Sequence, residues 1–260
     1  MRAKLGQHFL TDKSVLEKIV TAAELDKDDV VLEVGPGKGV LTESLARFAG
    51  KVIAVEKDGE LHHKLKKKFK DYKNLELVLG DIRDFDFSTL PPAYKIVANI
   101  PYYLTGQLIK KIFEIENPPK LSVLMLQKEV ADRLTAPKGE SNLLQLVVSV
   151  FADIEEIFFV PKESFSPPPE VDSSIVRFRI KKFVEIPKKD RDGFFRILKL
   201  AFSMKRKKLT NTLPKPLGIG KEQFLGELQS LDLGPNTRPQ ELNLAQWKAL
   251  LRGLQRGGYM

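Results

Sequence analysis

The chain has 260 residues, 42% of them hydrophobic, enough for one large domain or for an ordinary one with an appendage, built on a real core. It has no cysteine and only His8, His62 and His63 as histidines, which excludes disulfides, thiolate metal sites and cysteine nucleophiles and suits a zinc centre poorly. The formal charge is +9, and twelve Lys or Arg against three acidic residues between Lys181 and Lys215 hold all of that excess. Such a segment fits a polyanionic partner, and it equally fits a solvated, lysine-biased helix face.

No run approaches the roughly 20 apolar residues that span a bilayer. The best candidate, Leu143 to Phe151, is short and interrupted by Gln145 and Ser149. The first residues lack the apolar stretch of a signal peptide, so the expected location is the cytoplasm.

In chain order, Lys4-Leu5-Gly6-Gln7-His8-Phe9-Leu10 has no clear period and reads as an arm. Asp12 or Ser14 then caps a helix to about Ala23, with Val15, Leu16, Ile19 and Val20 on one face. Val30 to Val34 is a short run of the kind buried in a parallel sheet, and Gly35-Pro36-Gly37-Lys38-Gly39 leads into an amphipathic helix. Strand, glycine turn and helix open a nucleotide-binding βαβ unit, in which the glycines let backbone approach a ligand.

The next strand, Val52 to Val55, ends in Glu56, where a carboxylate accepts from the ribose hydroxyls of an adenosine cofactor. A lysine-rich helix, Gly59 to Phe69, follows with its charges in solvent. The third strand, Leu75 to Leu79, ends in Gly80-Asp81-Ile82, either a turn or an acceptor for an adenine amine with an aliphatic wall beside it. The fourth, Tyr94 to Ala98, delivers Asn99-Ile100-Pro101-Tyr102, an amide, a carbonyl held by the proline after it and an aromatic ring. These suit a planar base whose exocyclic amine is to be alkylated. Ligands of such sheets sit beyond the C-terminal strand ends, so the four groups are expected around one crevice.

A helix from about Thr105 to Phe113, a strand Leu121 to Gln127 and helices near Lys128 to Leu134 and Asn142 to Val150 come next. Strands Ile154 to Val160 and Ser173 to Ile180 are expected to be neighbours. Between them, three prolines hold Phe165-Ser166-Pro167-Pro168-Pro169-Glu170-Val171-Asp172 extended, so that Phe165 is either a fixed stacking ring or a core residue. After Lys181 the pattern is helical: Phe194 to Met204, the basic run Lys205, Arg206, Lys207 and Lys208, then Phe224 to Leu228 and Leu244 to Leu254. The expected class is α/β, residues 1–186, with a smaller helical and basic domain, 187–260, whose lysine run contacts phosphates.

The motifs Glu33-Val34-Gly35-Pro36-Gly37-Lys38-Gly39, Asn99-Ile100-Pro101-Tyr102 and Phe165-Ser166-Pro167-Pro168-Pro169-Glu170-Val171-Asp172-Ser173 resemble those of the S-adenosylmethionine-dependent rRNA adenine N6-dimethyltransferases. Gly6-Gln7-His8-Phe9-Leu10 does too, many relatives having Asn in place of His8. Ala201 to Leu213 and Arg238-Pro239-Gln240-Glu241-Leu242 resemble the KsgA branch, which dimethylates two adjacent adenosines in the 3′-terminal hairpin loop of small-subunit rRNA. The related Erm enzymes share the catalytic motifs and act on large-subunit rRNA.

The resemblance implies a class I methyltransferase fold, a seven-stranded, mostly parallel sheet with one antiparallel strand. It implies S-adenosylmethionine as cofactor and S-adenosylhomocysteine as product, no metal, and small-subunit rRNA as partner, within a pre-ribosomal particle, for a monomeric enzyme of ribosome biogenesis. His8 and Leu10 would border the methionine end, Gly35 and Gly37 the turn beneath it, Glu56 the ribose, Asp81 and Ile82 the adenine. Asn99 would border cofactor and base, with Ile100, Pro101, Tyr102 and Phe165 completing the catalytic set. The competing readings are an RNA-binding assembly factor with an idle site, a methyltransferase for large-subunit rRNA or DNA adenine, and an NAD-dependent dehydrogenase. The last is disfavoured by the glycine spacing.

Overall fold

The computed structural model describes residues 8–101, 104–137 and 139–260. Its centre is a seven-stranded sheet formed by β2 (Val30–Val34), β3 (Lys51–Glu56), β4 (Leu75–Leu79), β5 (Lys95–Asn99), β6 (Leu121–Gln127), β7 (Ala152–Val160) and β9 (Ser173–Ile180). A separate two-stranded pair joins β1 (Phe9–Leu10) to β8 (Phe165–Ser166). The seven strands of the main sheet are the seven expected from the sequence, with ends shifted by two residues at most. The short β1–β8 pair was not expected, because two residues show no alternation.

The sheet order is β4-β3-β2-β5-β6-β9-β7, with β2 through β6 parallel and β9 antiparallel to β6. Parallel strands covered on both faces need apolar side chains in both directions, which is why Val31, Leu32, Val97, Leu124 and Leu126 are all buried. The direction of winding reverses between β2 and β5, and that reversal opens a crevice at the C-terminal strand ends.

The opposite end of the sheet is closed by charge. Asp29 takes Lys95 at 2.7 Å and Lys120 at 2.8 Å, and Lys95 also donates to the Glu24 carbonyl. Asp29 and Lys95 are 4% and 3% exposed, so each depends on the other. Removing one partner of such a pair costs about 3–5 kcal/mol.

The helices flanking the strands follow their apolar faces. Asp12 caps α1 (Lys13–Ala22) by accepting from the Ser14 N–H at 2.9 Å. Gly39 precedes α2 (Val40–Phe48) at φ +75°, and a Cβ there would lie 2.6 Å from Leu65 and Phe69, at the end of α3 (Gly59–Lys68). The third glycine of the turn thus serves helix packing. α4 (Thr105–Glu114) buries Leu108, Ile109 and Ile112 after the Pro101 turn.

Contacts divide the chain into two compact units, Met1–Ala131 with Asp153–Lys181, and Asp132–Ala152 with Lys182–Met260. The sequence reading puts one cut after residue 186; in the structure the later segment of the second unit begins at Lys182, and the mid-chain residues Asp132–Ala152 are grouped with it. The second unit contains the end of α5 (Lys128–Leu134), α6 (Leu143–Ser149), α7 (Lys188–Phe202), α8 (Leu209–Thr212), α9 (Pro214–Leu217), α10 (Lys221–Gln229) and α11 (Leu244–Arg256). Ring contacts Phe151–Phe195 and Phe202–Trp247, at 6.2 and 6.1 Å, join its segments, and Gln255 donates to Asp190 at 2.9 Å. No helix among the described residues is long and apolar enough to cross a membrane.

Candidate active site

A cavity of about 540 Å³ lies at the C-terminal ends of β2, β3 and β5. Its wall includes every described residue that the sequence nominated for cofactor or base: Gly35, Gly37, Glu56, Asp81, Ile82, Asn99, Ile100 and Pro101 at the strand ends, together with His8, Leu10 and Phe165. Tyr102 lies outside the described residues. Lys205 to Lys208 lie between α7 and α8 of the second unit, all exposed.

Glu56 closes β3 and is 6% exposed. One carboxylate oxygen accepts from the Gly37 N–H at 3.1 Å and the other from the Asp58 N–H at 2.8 Å, which ties the glycine turn to the next strand. Each oxygen retains acceptor capacity toward the cavity, since an ionised carboxylate offers about four lone-pair sites. Asp81 is held by Arg83, through two hydrogen bonds of 3.0 and 2.6 Å, and by Lys57 at 2.9 Å. These cations keep its carboxyl well below the usual range, and it is ionised throughout physiological pH.

Glu33 is a cavity residue that the sequence reading used only as part of a motif. It lies in β2 at 1% exposure, and its Oε2 is buried with no hydrogen-bond partner. Burial pushes its carboxyl up to about 8, and the nearby charge of Glu56 adds to the shift. An acidic residue among the apolar residues of a strand buried on both faces was the available signal.

Asn99 ends β5, opposite Met125 of β6, and is partly buried. Ile100 beside it is 1% exposed, and the Pro101 ring stands 3.7 Å from where a Cβ on Gly35 would be. The glycine turn therefore packs directly against the Asn99-Ile100-Pro101 stretch. Phe165 is 3% exposed and belongs to a core cluster with Leu10 and Val160, while also reaching the cavity wall. It is thus a core residue presented at a cavity, and both sequence readings describe part of its setting.

Phe9 was not expected at the site. Its ring lies 3.2 Å from where a Cβ on Gly37 would be, and Lys38 Nζ stands 4.3 Å from the ring centroid. Among the described residues no group of three or more His, Asp or Glu could hold a metal ion.

The profile of the ribosomal RNA adenine dimethylase family matches residues 1–251. A ribosomal RNA small subunit methyltransferase A of Dehalococcoides mccartyi is 41% identical over 96% of this chain and 87% of its own length. The protein of that name in Fusobacterium nucleatum is 35% identical over 96% of each chain. The solved dimethyladenosine transferase of Plasmodium falciparum superposes with a TM-score of 0.85 at 31% identity, over 96% of this chain and 98% of that one. The 23S rRNA methyltransferase ErmE gives 0.81 at 26%, over 95% and 99%. With a matched profile over nearly its whole length and the cavity that its motifs enclose, the chain belongs to the ribosomal RNA adenine dimethylase family.

Proposed function

We propose that the cavity binds S-adenosylmethionine, that Asn99 and Ile100 present an adenine amine to it, and that the substrate is a pair of adjacent adenosines in the 3′-terminal hairpin loop of small-subunit rRNA. The residues fit that cofactor. The orphaned Glu33 Oε2 supplies an acceptor for a cationic group, Glu56 has acceptors to spare for a ribose diol, and Asp81 with buried Ile82 suits an amino-substituted ring. The cofactor, when bound, supplies an electrophilic methyl group.

The chain's own part is to prepare the nucleophile. The lone pair of an adenine amine is delocalised into the ring, so the nitrogen attacks poorly. Asn99 Oδ1 and the Ile100 carbonyl accept its N–H groups and draw it toward a pyramidal geometry, and Pro101 fixes that carbonyl. An amide oxygen is no base at neutral pH, so the proton leaves after alkylation has made the nitrogen acidic. After one methylation one N–H remains, and it donates to Asn99 Oδ1 in the second transfer. The base must leave its stack, at a cost of a few kcal/mol that is least in a loop. Phe165 and Tyr102 compensate as stacking rings, each worth about 1–3 kcal/mol.

The observation that carries this reading is the meeting of Asn99 and Ile100 with Glu33, Glu56 and Asp81 in one cavity. Labelled methyl transfer to unmethylated small-subunit particles, large-subunit rRNA and duplex DNA, run side by side, tests it. Transfer to the first alone is expected. Cofactor binding without turnover on any substrate would instead support an RNA-binding assembly factor.

The second unit brings the RNA. Domain 187–260 is the RNA-binding part of this reading, with Lys205, Arg206, Lys207 and Lys208 on phosphates. Neutralising all four should flatten the slope of log affinity against log salt by up to about 3. An unchanged slope in a filter-binding titration would return the run to a solvated face. The enzyme acts as a monomer in the cytoplasm, on a partly assembled small-subunit particle.

A further inference from the structure

The start of the described chain closes one side of the cavity through contacts that the adenine chemistry does not use. β1 and β8 run antiparallel, with Phe9 opposite Ser166 and Leu10 opposite Phe165. Toward one end the pairing is reinforced, since the Thr11 N–H and hydroxyl donate to the Ser164 carbonyl at 2.9 and 3.0 Å. Ser164 Oγ also donates to Asp12 Oδ2 at 3.3 Å. Toward the other end the backbone ladder has to stop, because Pro167, Pro168 and Pro169 have no N–H to give.

His8 stands where the ladder stops. Its Nδ1 donates to the Pro167 carbonyl at 2.8 Å, so a side chain supplies the bond that backbone cannot. One residue on, Phe9 lies against the Gly37 turn under Lys38. The arm therefore touches the glycine turn on one side and grips the Phe165-bearing turn on the other.

We propose that His8 is a positioning residue for methyl transfer, its imidazole extending the β1–β8 ladder past the prolines and so holding the turn that presents Phe165 to the cavity. The proposal rests on the reading of this cavity as the methyl-transfer site. It gives the His8 side chain a different task from bordering the cofactor, which its backbone can do whichever side chain it carries.

Three measurements on His8→Ala and His8→Asn in the full chain test it: amide hydrogen exchange over residues 162–166, the dissociation constant for S-adenosylmethionine by calorimetry, and the single-turnover transfer rate on saturating small-subunit particles. In His8→Ala, exchange at Phe165 and Ser166 should quicken, and transfer should slow, each by about five- to tenfold, the size of one neutral hydrogen bond. The dissociation constant sets the cofactor concentration that saturates each variant, so that the transfer rates, compared at saturation, should follow the exchange rates. His8→Asn, whose amide N–H can donate to the same carbonyl, should recover most of both effects. Lost cofactor affinity with unchanged exchange at residues 164–166 would overturn the proposal, and so would an Asn variant no better than Ala. If the wild type transfers no methyl to any adenine substrate, the active-site reading fails, and the exchange comparison still decides whether His8 holds the turn.

Discussion

Asn99→Ala should slow methyl transfer by about 100- to 1,000-fold, the usual cost of removing one preorganised hydrogen-bonding group from a reacting centre. Affinity for the rRNA particle should change by less than about twofold, since phosphate contacts set most of it. The effect is expected to be large because nothing nearby replaces the lost amide. Asn99 ends a strand paired with β6 along its length, and Ile100 is buried behind it, so the backbone carbonyl stays in place while the second acceptor disappears. Single-turnover rates with saturating particles, beside filter binding, separate the two quantities. Full activity in the variant would sink the two-acceptor scheme.

Glu33→Gln should make the protein more stable at pH 8 and leave it nearly unchanged at pH 5. In the folded chain the Glu33 carboxyl is pushed up to about 8, whereas the ordinary value is 4.5. Between those values the folded state holds a proton that the unfolded state has released, so stability falls as pH rises across that window. The slope is at most about 1.4 kcal/mol per pH unit, and the whole loss is on the order of 4 kcal/mol. Below 4.5 both states are protonated and the contribution is intact; above about 8 both are ionised and the loss is complete. Glutamine has no such proton, so thermal melts at pH 8 should rise by roughly 8–16 °C, at about 2–4 °C per kcal/mol. A parallel pH dependence in the two proteins would place the buried proton elsewhere. The same variant should bind S-adenosylmethionine more weakly and without the proton release expected of the wild type near pH 7, because a cation in the cavity favours the ionised carboxylate and draws off the Glu33 proton, whereas an amide has none to lose.

The sequence carried this site unevenly, for physical reasons. Glu56, Asp81 and Asn99 were legible because each follows an apolar strand, where a polar residue marks the point at which the chain leaves the core. Glu33 violates that rule. It is an ionisable residue inside the strand, and only the packed sheet shows that its second oxygen has no partner. Phe9 and the β1–β8 pair were hidden because they depend on residues roughly 150 positions apart meeting across two-residue strands, which leave no periodic trace. The main strands were legible as apolar runs. That residues Asp132–Ala152 belong with the later helices was not, since α6 packs on α7 through side chains far apart in sequence.

The ion cluster at the far end of the sheet bears on how the RNA complex is to be measured. Asp29 and Lys95 are almost wholly withdrawn from solvent, and mobile ions screen such a pair far less than they screen exposed charges. Lys205 to Lys208 are all exposed and feel dissolved ions fully. If that run holds phosphates as proposed, raising ionic strength loosens its grip on them while the strand ends under the cavity keep their anchor. Affinity lost in a salt titration is then a property of the interface, and a circular dichroism signal that stays constant through the titration is its internal control.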